Sequence, residues 1–382
     1  MGVSIKQIMA LDSFRSVRVL AGADYLDNEV RRISTADLPV SEIDYLLAQE
    51  GDFFLSGFYF VGDDLAEMQK TIECLVNTDA SGLCLTDEFI QSLPPEIAAY
   101  CEKKRLPVLI INHLMPYGDM FRDVTELILL DQKKELVRAQ LETLLTGSLN
   151  VDTKMHLIRQ LNPHFQNRVI AFYLPPNPQD APSEPGHKRI DMFNRDTLSF
   201  GAEFRSGALG LVSHNQTAAV KIKALARHYV DEIRKAAPTA FIGVSAFQNH
   251  LSDCDVAIRQ ALTAGMNSLY ADGPGVAYYE DLGAMKLILL LHGRPELHHF
   301  VSETLNPLSE YDEKNQADLL ETMTVFIKND RNPQKAAAAM FVHVNTIRYR
   351  VCKAKEIVAP GQSMNDFLES FTIASKIYKL TR

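Results

Sequence analysis

Hydrophobic residues in the first third of the chain occur in short runs, separated by segments with helical spacing. Runs such as Val108 to Ile111 are apolar at every position, which is typical of strands covered by helices on both faces. This alternation predicts an α/β domain with a mostly parallel sheet over residues 1–120. The segments concerned are Val17 to Leu20, Phe53 to Phe60, Leu65 to Val76, Gly82 to Leu85, Pro95 to Cys101 and Val108 to Ile111.

Residues 121–161 are predicted to form a helical linker. Its apolar positions alternate at three and four residues, as in a coiled coil, and are interrupted only by Lys134. An ordinary amphipathic helix packed on its own domain explains the same pattern, because fewer than three full heptads are present. The paired alternative would make the protein a homodimer. The positions are Leu127, Leu130, Val137, Leu141 and Leu144.

The pattern changes over residues 162–283. A strand, a hairpin, a helix, a strand, a second helix and a further strand follow one another, close to the order β-α-β-β-α-β. We therefore expect an α+β, ferredoxin-like middle domain. A proline-rich loop from Pro175 to Pro185 interrupts it and is not expected to build a packed core. The predicted elements are Val169 to Leu174, the hairpin EFRSGALGLVSH, Ala218 to Lys235, Ala240 to Val244, Asp253 to Ala264 and Ala277 to Tyr279.

Residues 284–382 are predicted to be all-α, and the segment from about 318 to 358 is predicted to form three helices that contain a helix-turn-helix. Asn332 is a good N-cap, and Pro333 suits the first helical position, where its missing N–H costs nothing. The four alanines that follow let another helix approach closely. A third helix is predicted to start near Asn345 or Thr346. Its apolar stripe consists of Val344, Ile347, Val351, Ala354 and Val358.

The opposite face of this third helix is polar and basic. Arg suits guanine edges, Asn suits adenine, and Thr and Tyr suit phosphate or thymine methyl groups, so this face predicts binding to double-stranded DNA. A solvated helical bundle would explain the charges, but not the cap, the alanines and the polar helix start together. The predicted DNA-binding residues are Lys335, His343, Asn345, Thr346, Arg348, Tyr349, Arg350 and Lys353.

Charge sharpens this picture. The net charge of -9 argues against a protein that coats nucleic acid with its whole surface. Between Lys328 and Lys355, however, the sequence contains seven basic residues and a single acidic residue, Asp330. DNA contact is therefore expected to be local.

Length and composition give further limits. A chain of 382 residues exceeds what one core usually organises, so several domains are expected. No apolar run is long enough to span a membrane, and Asp12 interrupts the start where a secretory signal would be apolar. We expect a cytoplasmic protein without membrane contact. The five cysteines form no C-x-x-C pair, which favours free thiols.

Polar side chains follow several of the predicted N-terminal strands. They are Asp37, Ser56, Thr86 and Asn112. Because α/β folds hold ligands at the carboxyl ends of their strands, these side chains are candidates for binding a small-molecule effector. Ordinary roles in turns and caps are the alternative.

The run His343, Asn345, Thr346, Ile347, Arg348, Tyr349 and Arg350 resembles the H-x-N-T-[LIV]-R-Y-R hallmark of the PucR/CdaR family of bacterial transcriptional regulators. The chain departs from the family at Val344, where Arg or Pro is common, so a phosphate contact there is in doubt. The opening segment resembles the N-terminal PucR domain, and AFIGVSAFQNHLSDCDVAIRQALTAGMN resembles the GGDEF-like domain of these regulators. The resemblance implies effector sensing, with a purine-degradation intermediate favoured, and a recognition helix at the C-terminus.

No enzyme is predicted, and neither cofactor nor metal. Where a cyclase would carry its acidic GGDEF turn, Arg205 to Leu209 supply no carboxylate for magnesium. Walker, G-x-S-x-G, H-E-x-x-H and G-x-G-x-x-G motifs are absent from the sequence. The neighbouring His292, His298 and His299 are expected to be ordinary histidines. The alternative function is a metabolite-binding signalling adaptor whose terminal helices bind a protein partner.

Overall fold

The computed structural model describes residues 2–38, 48–62, 64–176, 190–268, 275–291 and 293–380. The chain divides into two compact units, Met1–Gln140 and Leu141–Arg382. Most of the proline-rich loop predicted from Pro175 to Pro185 lies outside the described residues.

The first unit is built on a five-stranded sheet in the order β2-β7-β6-β5-β4. The strands from β4 to β7 run parallel, and β2 joins β7 antiparallel. A separate two-stranded sheet pairs β1 with β3. The strands are β1 Val3–Ser4, β2 Arg18–Ala21, β3 Glu29–Val30, β4 Arg32–Thr35, β5 Asp52–Ser56, β6 Gly82–Thr86 and β7 Val108–Ile111. The helices are α1 Ile5–Ile8, α2 Leu65–Asn77 and α3 Pro95–Lys104, with short 3-10 turns at Asp12–Phe14 and Ala23–Tyr25. Helix α4, Tyr117–Thr146, begins in this unit and continues past its end at Gln140.

Burial explains the unbroken apolar runs of these strands. All residues of β5, β6 and β7 are buried. Alternate side chains of β5 enter two different cores, with Phe54 on one face and Phe53 and Leu55 on the other. The parallel strands therefore bring the chain segments after Thr35, Ser56, Thr86 and Ile111 to one edge of the sheet.

The second unit contains another five-stranded sheet, in the order β12-β11-β8-β10-β9. All neighbouring pairs are antiparallel except β11 with β12. The strands are β8 Arg168–Leu174, β9 Ser199–Phe204, β10 Gly207–His214, β11 Ile242–Val244 and β12 Val276–Tyr278. The helices of this part are α5 Val151–Leu161, α6 Ala219–Ala236 and α7 Cys254–Ser268, with 3-10 turns at Leu251–Asp253 and Tyr279–Leu282.

Two local features determine the hairpin of this sheet and the packing of a helix against it. The β9–β10 hairpin turns at Arg205 and Ser206, which both adopt positive φ, as a two-residue hairpin turn of type I′ requires. Helix α7 lies directly against β11, where a Cβ on Gly243 would come within 2.1 Å of the Gly265 nitrogen. A side chain at position 243 would therefore force the helix away from the sheet.

The last part of the chain is helical. One apolar core unites its helices and includes the fully buried Met323, Ala336, Ile347, Ala354 and Phe371. The helices are α8 Met285–Leu290, α9 Pro295–Asn315, α10 Leu319–Lys328, α11 Pro333–Met340, α12 Val344–Val358 and α13 Met364–Leu380.

The mixed α/β character of the N-terminal and middle regions and the all-helical C-terminal region are confirmed. The third helix of the predicted helix-turn-helix begins at Val344, slightly before the predicted start at Asn345 or Thr346, because His343 caps it. The four-part division at residues 120, 161 and 283 stays a prediction.

The predicted coiled-coil stripe of α4 divides into parts with different surroundings. Leu127 packs partly buried against a core of the first unit, whereas Leu141 and Leu144 are fully buried. Leu130 keeps 51% of its surface exposed. The ends of the stripe are therefore used within the chain, and its centre remains accessible.

Arg350 fastens α12 to α10. Its Nη1 donates to Thr322 Oγ1 at 3.1 Å, and its Nη2 donates to the Asp318 carboxylate at 3.0 Å. Asp318 lies just before α10 and makes no capping hydrogen bond there. Instead, both oxygens of Asp312 accept the Leu319 and Leu320 N–H groups at 2.8 and 2.9 Å. A single carboxylate from outside the helix thus serves the N-terminus of α10.

We predict that Arg350→Ala loosens α12, because it removes a charge-assisted contact between two helices. The expected loss is about 1 kcal/mol of local stability, since the Asp318 side chain is 55% exposed and screened by water. Hydrogen–deuterium exchange of Val344–Val358 would measure it. Arg348→Ala is the matched control, because Arg348 is exposed and makes no such contact. Equal exchange in the two variants would contradict the role of Arg350.

Candidate nucleic-acid interface

Local sequence places α11 and α12 as a helix-turn-helix. The Asn332 side chain caps α11 by accepting the Gln334 and Lys335 N–H groups at 2.9 and 3.0 Å. Ala336 and Ala337 are buried, so α11 packs closely on its neighbours. These features agree with the cap and the alanine packing expected from the sequence.

Helix α11 ends at Phe341, a residue that sequence reasoning treated only as part of the turn. Phe341 adopts a left-handed conformation with φ of 55°, which favours glycine. Its side chain is 96% exposed. A phenylalanine that is both strained and exposed, directly before α12, is a candidate for an apolar contact with a partner molecule. In the sequence, an aromatic residue at the turn position was the only signal.

Helix α12 presents the predicted polar face to the outside. His343 caps the helix, with its Nδ1 accepting the Asn345 N–H at 3.2 Å. Ile347, Val351 and Ala354 are buried on the inner face. The side chains of Asn345, Arg348 and Tyr349 are exposed, and Tyr349 retains 66% of its accessible surface.

The structure places the other predicted DNA-binding residues less uniformly. Lys353 lies 3.3 Å from Glu356, whose hydrogen bond raises the pKa of Lys353. Lys335 lies 3.3 Å from Asp330. Such surface pairs contribute little and open readily, so both ammonium groups can exchange their partner for a phosphate. Thr346 is half-buried, and Arg350 points inward to Asp318 and Thr322.

The predicted effector residues of the first unit lie at the carboxyl edge of its sheet. Ser56 donates its hydroxyl to Asp37 at 3.0 Å, and the Gly57 N–H donates to the same carboxylate oxygen at 2.9 Å. Ser56 is buried and Asp37 is half-buried. Two of the four predicted residues are therefore in direct contact.

Thr86 faces the same spot, together with Tyr117, which sequence reasoning missed. A Cβ on Gly57 would lie 3.5 Å from Thr86 Oγ1 and 4.0 Å from the Tyr117 hydroxyl. Burial raises the pKa of Tyr117 to about 12, and the negative charge of Asp37 adds to this shift. A hydrogen bond with Thr86 lowers the pKa and so opposes part of the shift. The phenol therefore stays protonated and available as a hydrogen-bond donor. Tyr117 escaped notice because it starts a helix and does not end a strand.

Asn112 is separate from this group. Its amide oxygen accepts the Leu114 N–H at 2.8 Å, an ordinary turn contact, and the residue is exposed. Next to it, Asp87 accepts the His113 backbone N–H at 2.7 Å and contacts the His113 ring, and these hydrogen bonds lower the pKa of Asp87. Asp37, Ser56, Gly57, Thr86 and Tyr117 are hereafter called the sheet-edge cluster.

Metal ligands and membrane-spanning helices are two further features to consider in the described residues. No group of three or more His, Cys, Asp or Glu side chains in this part of the chain is placed to hold a metal ion. His292, one of three neighbouring histidines, lies outside the described residues. No described helix is long and apolar enough to cross a membrane.

Comparison with known families gives two matches. Residues 7–128 match the Purine catabolism regulatory protein-like family. Residues 319–374 match the PucR C-terminal helix-turn-helix domain, which spans α10, α11, α12 and part of α13.

Several proteins are similar to parts of the chain. The transcriptional activator PmfR of Paenarthrobacter nicotinovorans is 31% identical over 136 residues, covering 35% of this chain and 27% of PmfR. The proline-responsive transcriptional activator PutR of Bacillus subtilis is 24% identical over 140 residues, which cover 36% of this chain and 34% of PutR. The DNA-binding transcriptional activator AdeR of the same organism is 28% identical over 79 residues, which cover 21% of this chain and 19% of AdeR. The chain thus spans only a fifth to a third of these relatives.

A solved structure, the regulator of polyketide synthase expression from Bifidobacterium adolescentis, covers 63% of this chain and 92% of its own, at 19% identity. The TM-score of 0.29 is too low to support an argument. The chain is therefore similar to PucR-type proteins at both ends: residues 7–128 and residues 319–374 match the two family models.

Proposed function

We propose that this protein is a DNA-binding transcriptional regulator of the PucR/CdaR type. The observation that carries the proposal is the two-sided α12. Its inner face is buried, and its outer face presents Asn345, Arg348 and Tyr349 next to a locally basic surface. A helix of this kind suits the major groove, where side chains reach base edges.

The predicted DNA-binding residues divide by chemistry. Arg348 is proposed to read guanine, and Asn345 adenine. Thr346, Tyr349, Lys335 and Lys353 are proposed to hold phosphates, which fixes the register on the duplex.

Three further residues complete this interface. Since His343 Nδ1 accepts a hydrogen bond, its Nε2 carries the proton and can donate to a phosphate. Phe341 is proposed to pack on a sugar or thymine methyl group. Arg350 acts through its contacts with Asp318 and Thr322, by holding α12 in position.

The names of the similar proteins support regulation, since PmfR, PutR and AdeR are all transcriptional activators. We therefore favour activation of transcription in the cytoplasm, without catalysis. In the signalling-adaptor alternative, the terminal helices bind a protein. Salt separates the two, because DNA binding falls steeply between about 50 and 200 mM salt, whereas an apolar interface does not respond in this way.

The middle part is proposed to be a degenerate GGDEF-like domain of ferredoxin-like fold. The first four strands of this part are β8, β9, β10 and β11 in chain order, and they lie side by side in the order β11-β8-β10-β9. Numbered from one to four along the chain, this is the strand order 4-1-3-2 of the ferredoxin-like fold. The hairpin turn carries Arg205 and Ser206, and Arg205 forms an ion pair with Glu142 at 3.0 Å. A carboxylate for magnesium is missing at this turn, which supports a structural domain.

A homodimer is proposed to form along α4. Leu129 and Leu136 are 58% and 60% exposed and lie one heptad apart, and Leu130 and Val137 repeat the same spacing beside them. A stripe with this repeat suits a second copy of the same helix. Two subunits would read two half-sites, which multiplies the modest affinity of one helix.

The sheet-edge cluster is proposed to bind the effector. Asp37, Thr86 and Tyr117 combine an acceptor with two hydroxyl groups beside a glycine that leaves room. Such groups suit a polar, hydrogen-bonding molecule, and the purine-catabolism family match favours a purine-degradation intermediate. Asn112, whose amide oxygen is occupied, is left out of this proposed pocket.

The DNA proposal is tested by incubating the purified protein with fragmented DNA of its own genome and sequencing the retained fragments. Wild type is expected to retain a few discrete promoters. Arg348→Ala should lose roughly 1 to 3 kcal/mol of binding free energy and relax discrimination at one base pair. Arg195→Ala, an exposed arginine elsewhere in the same unit, is the control. Identical fragments for Arg348→Ala and wild type, or no retained DNA, would contradict the assignment.

The dimer is tested by sedimentation of wild type and of a Leu129→Lys, Leu136→Lys double variant. We expect a dimer for wild type and a monomer for the variant, because two charges would enter each side of an apolar interface. Leu114→Lys, at a position that is 77% exposed outside α4, should leave the dimer intact. A monomeric wild type would refute the proposal.

The sheet-edge cluster is tested with Thr86→Val, which removes one hydroxyl at constant volume. Calorimetric titration with purine bases, allantoin and related breakdown products should show binding to wild type, weakened about tenfold in the variant because a buried donor is lost. Thr125→Val, on the exposed side of α4, is the control. Unchanged affinity in Thr86→Val would place the effector elsewhere.

A further inference from the structure

The second unit contains a cavity of about 400 Å³ between α6 and the sheet. This volume lies in the range of small-molecule pockets and far exceeds a packing defect. Its apolar wall includes Ile170 of β8, Ala226 of α6 and Phe247, which follows β11. The cavity belongs to a different unit from the sheet-edge cluster, and the described residues that line it include none of α12.

Charges of both signs line this cavity. Lys223 and Arg227 are one turn apart on α6 and therefore share a face. Glu280 and Asp281 belong to the short turn after β12. Within the described part of the chain, no ion pair closer than 4.0 Å joins the two sets. Cations and carboxylates thus line one cavity without neutralising each other directly.

Tyr278, which also lines the cavity, is influenced by charges of both signs. Burial raises the pKa of its hydroxyl; Arg227 counteracts this shift, whereas Asp231 and Asp281 add to it. A cation and a carboxylate thus act on one phenol that lines the cavity.

His214 supplies an independent sign of a missing partner. It ends β10, two residues after Val212, which lies opposite Ile170 and shares its core, so the His214 side chain emerges on the same face of the sheet. Its ring centroid lies 4.7 Å from that of Phe247, a cavity residue. His214 is 5% exposed, and its Nδ1 accepts the Gln216 N–H.

The other ring nitrogen of His214 is unsatisfied. Its Nε2 is buried and has no hydrogen-bond partner among the described residues. Buried polar atoms are nearly always paired, and an unpaired one commonly marks the place of a bound molecule or water. His214 does not itself line the cavity, but it packs on Phe247, which does, so this free hydrogen-bonding atom lies beside the cavity wall.

We infer that the cavity binds a small zwitterion of the α-amino-acid class. Its carboxylate would pair with Lys223 and Arg227, its ammonium group with Glu280 and Asp281, and its apolar side chain would rest on Ile170 and Phe247. A nucleotide fits less well, because Glu280 and Asp281 would repel its phosphates. A purely apolar ligand would leave all four charged groups unused.

The position of the cavity gives such a ligand a route to the DNA-binding helices. Glu280 and Asp281 directly precede Leu282, which ends the same turn. Leu282 and Met285 pack against the core shared by α9 to α13. A ligand that holds the turn would therefore act on the support of α12.

The test is calorimetric titration of the full chain, without DNA, with the apolar L-amino acids. Each is compared with its deaminated acid and its decarboxylated amine, which keep only one of the two charges. At least one amino acid should bind, and its two single-charge analogues should bind at least tenfold more weakly. Since no DNA is present, the result is independent of the proposed regulator function.

Variants locate the binding. Arg227→Gln and Asp281→Asn, both at exposed positions that do not threaten the fold, should each weaken binding at least tenfold. Lys221→Gln, an exposed cation of α6 outside the cavity lining, should stay within twofold of wild type, as should Thr86→Val. The inference is overturned if no amino acid binds, if a deaminated acid binds as tightly as its parent, or if Lys221→Gln and Arg227→Gln behave alike.

Discussion

The burial of one side of α12 is the constraint on which the proposed activity depends. Ile347, Val351 and Ala354 hold the helix on the C-terminal core, and only this anchoring gives the opposite side chains a fixed direction. The neighbouring α11 meets the same demand with small residues, since Ala336 and Ala337 are buried where larger side chains would push the helices apart. Arg350 adds a polar contact to this apolar support. Sequence-reading residues can be precise only when their backbone is held in this way.

Much of this arrangement could be predicted, because periodicity and capping act over short distances. The strand Val108–Ile111 and the start of α11 at Pro333 follow from local residue types alone. The role of Arg350 could not be predicted, since its partner Asp318 lies 32 positions away and either face of the helix could have carried it. The same limit applies to α4, where the three-four spacing indicates an apolar stripe but not what covers it.

The sheet-edge cluster shows a similar boundary. Asp37, Ser56 and Thr86 were identifiable because parallel strands bring their carboxyl ends to one edge. Tyr117 reaches the same place from the start of a helix, a relation that only the packed structure reveals. Asn112 has the right position along the chain, but its amide oxygen accepts a hydrogen bond from Leu114 N–H in its own turn. Position in the topology therefore selects candidates, and the hydrogen bonds of the packed structure show which of these candidates lie together.

A ligand can change DNA binding only if it interacts differently with two arrangements of the protein. The turn Tyr279–Leu282 is placed for such a difference, since two of its residues line the cavity and Leu282 packs on the core beneath the helices that are proposed to bind DNA. Leu282 and Met285 are only partly buried, so a shift of the turn would change the packing at the edge of this core and leave its centre closed. A coupling of about 1 to 3 kcal/mol, typical of allosteric proteins, is comparable to one or two marginal apolar contacts. By reciprocity, DNA that favours one arrangement of this edge must alter the affinity of the cavity by the same factor.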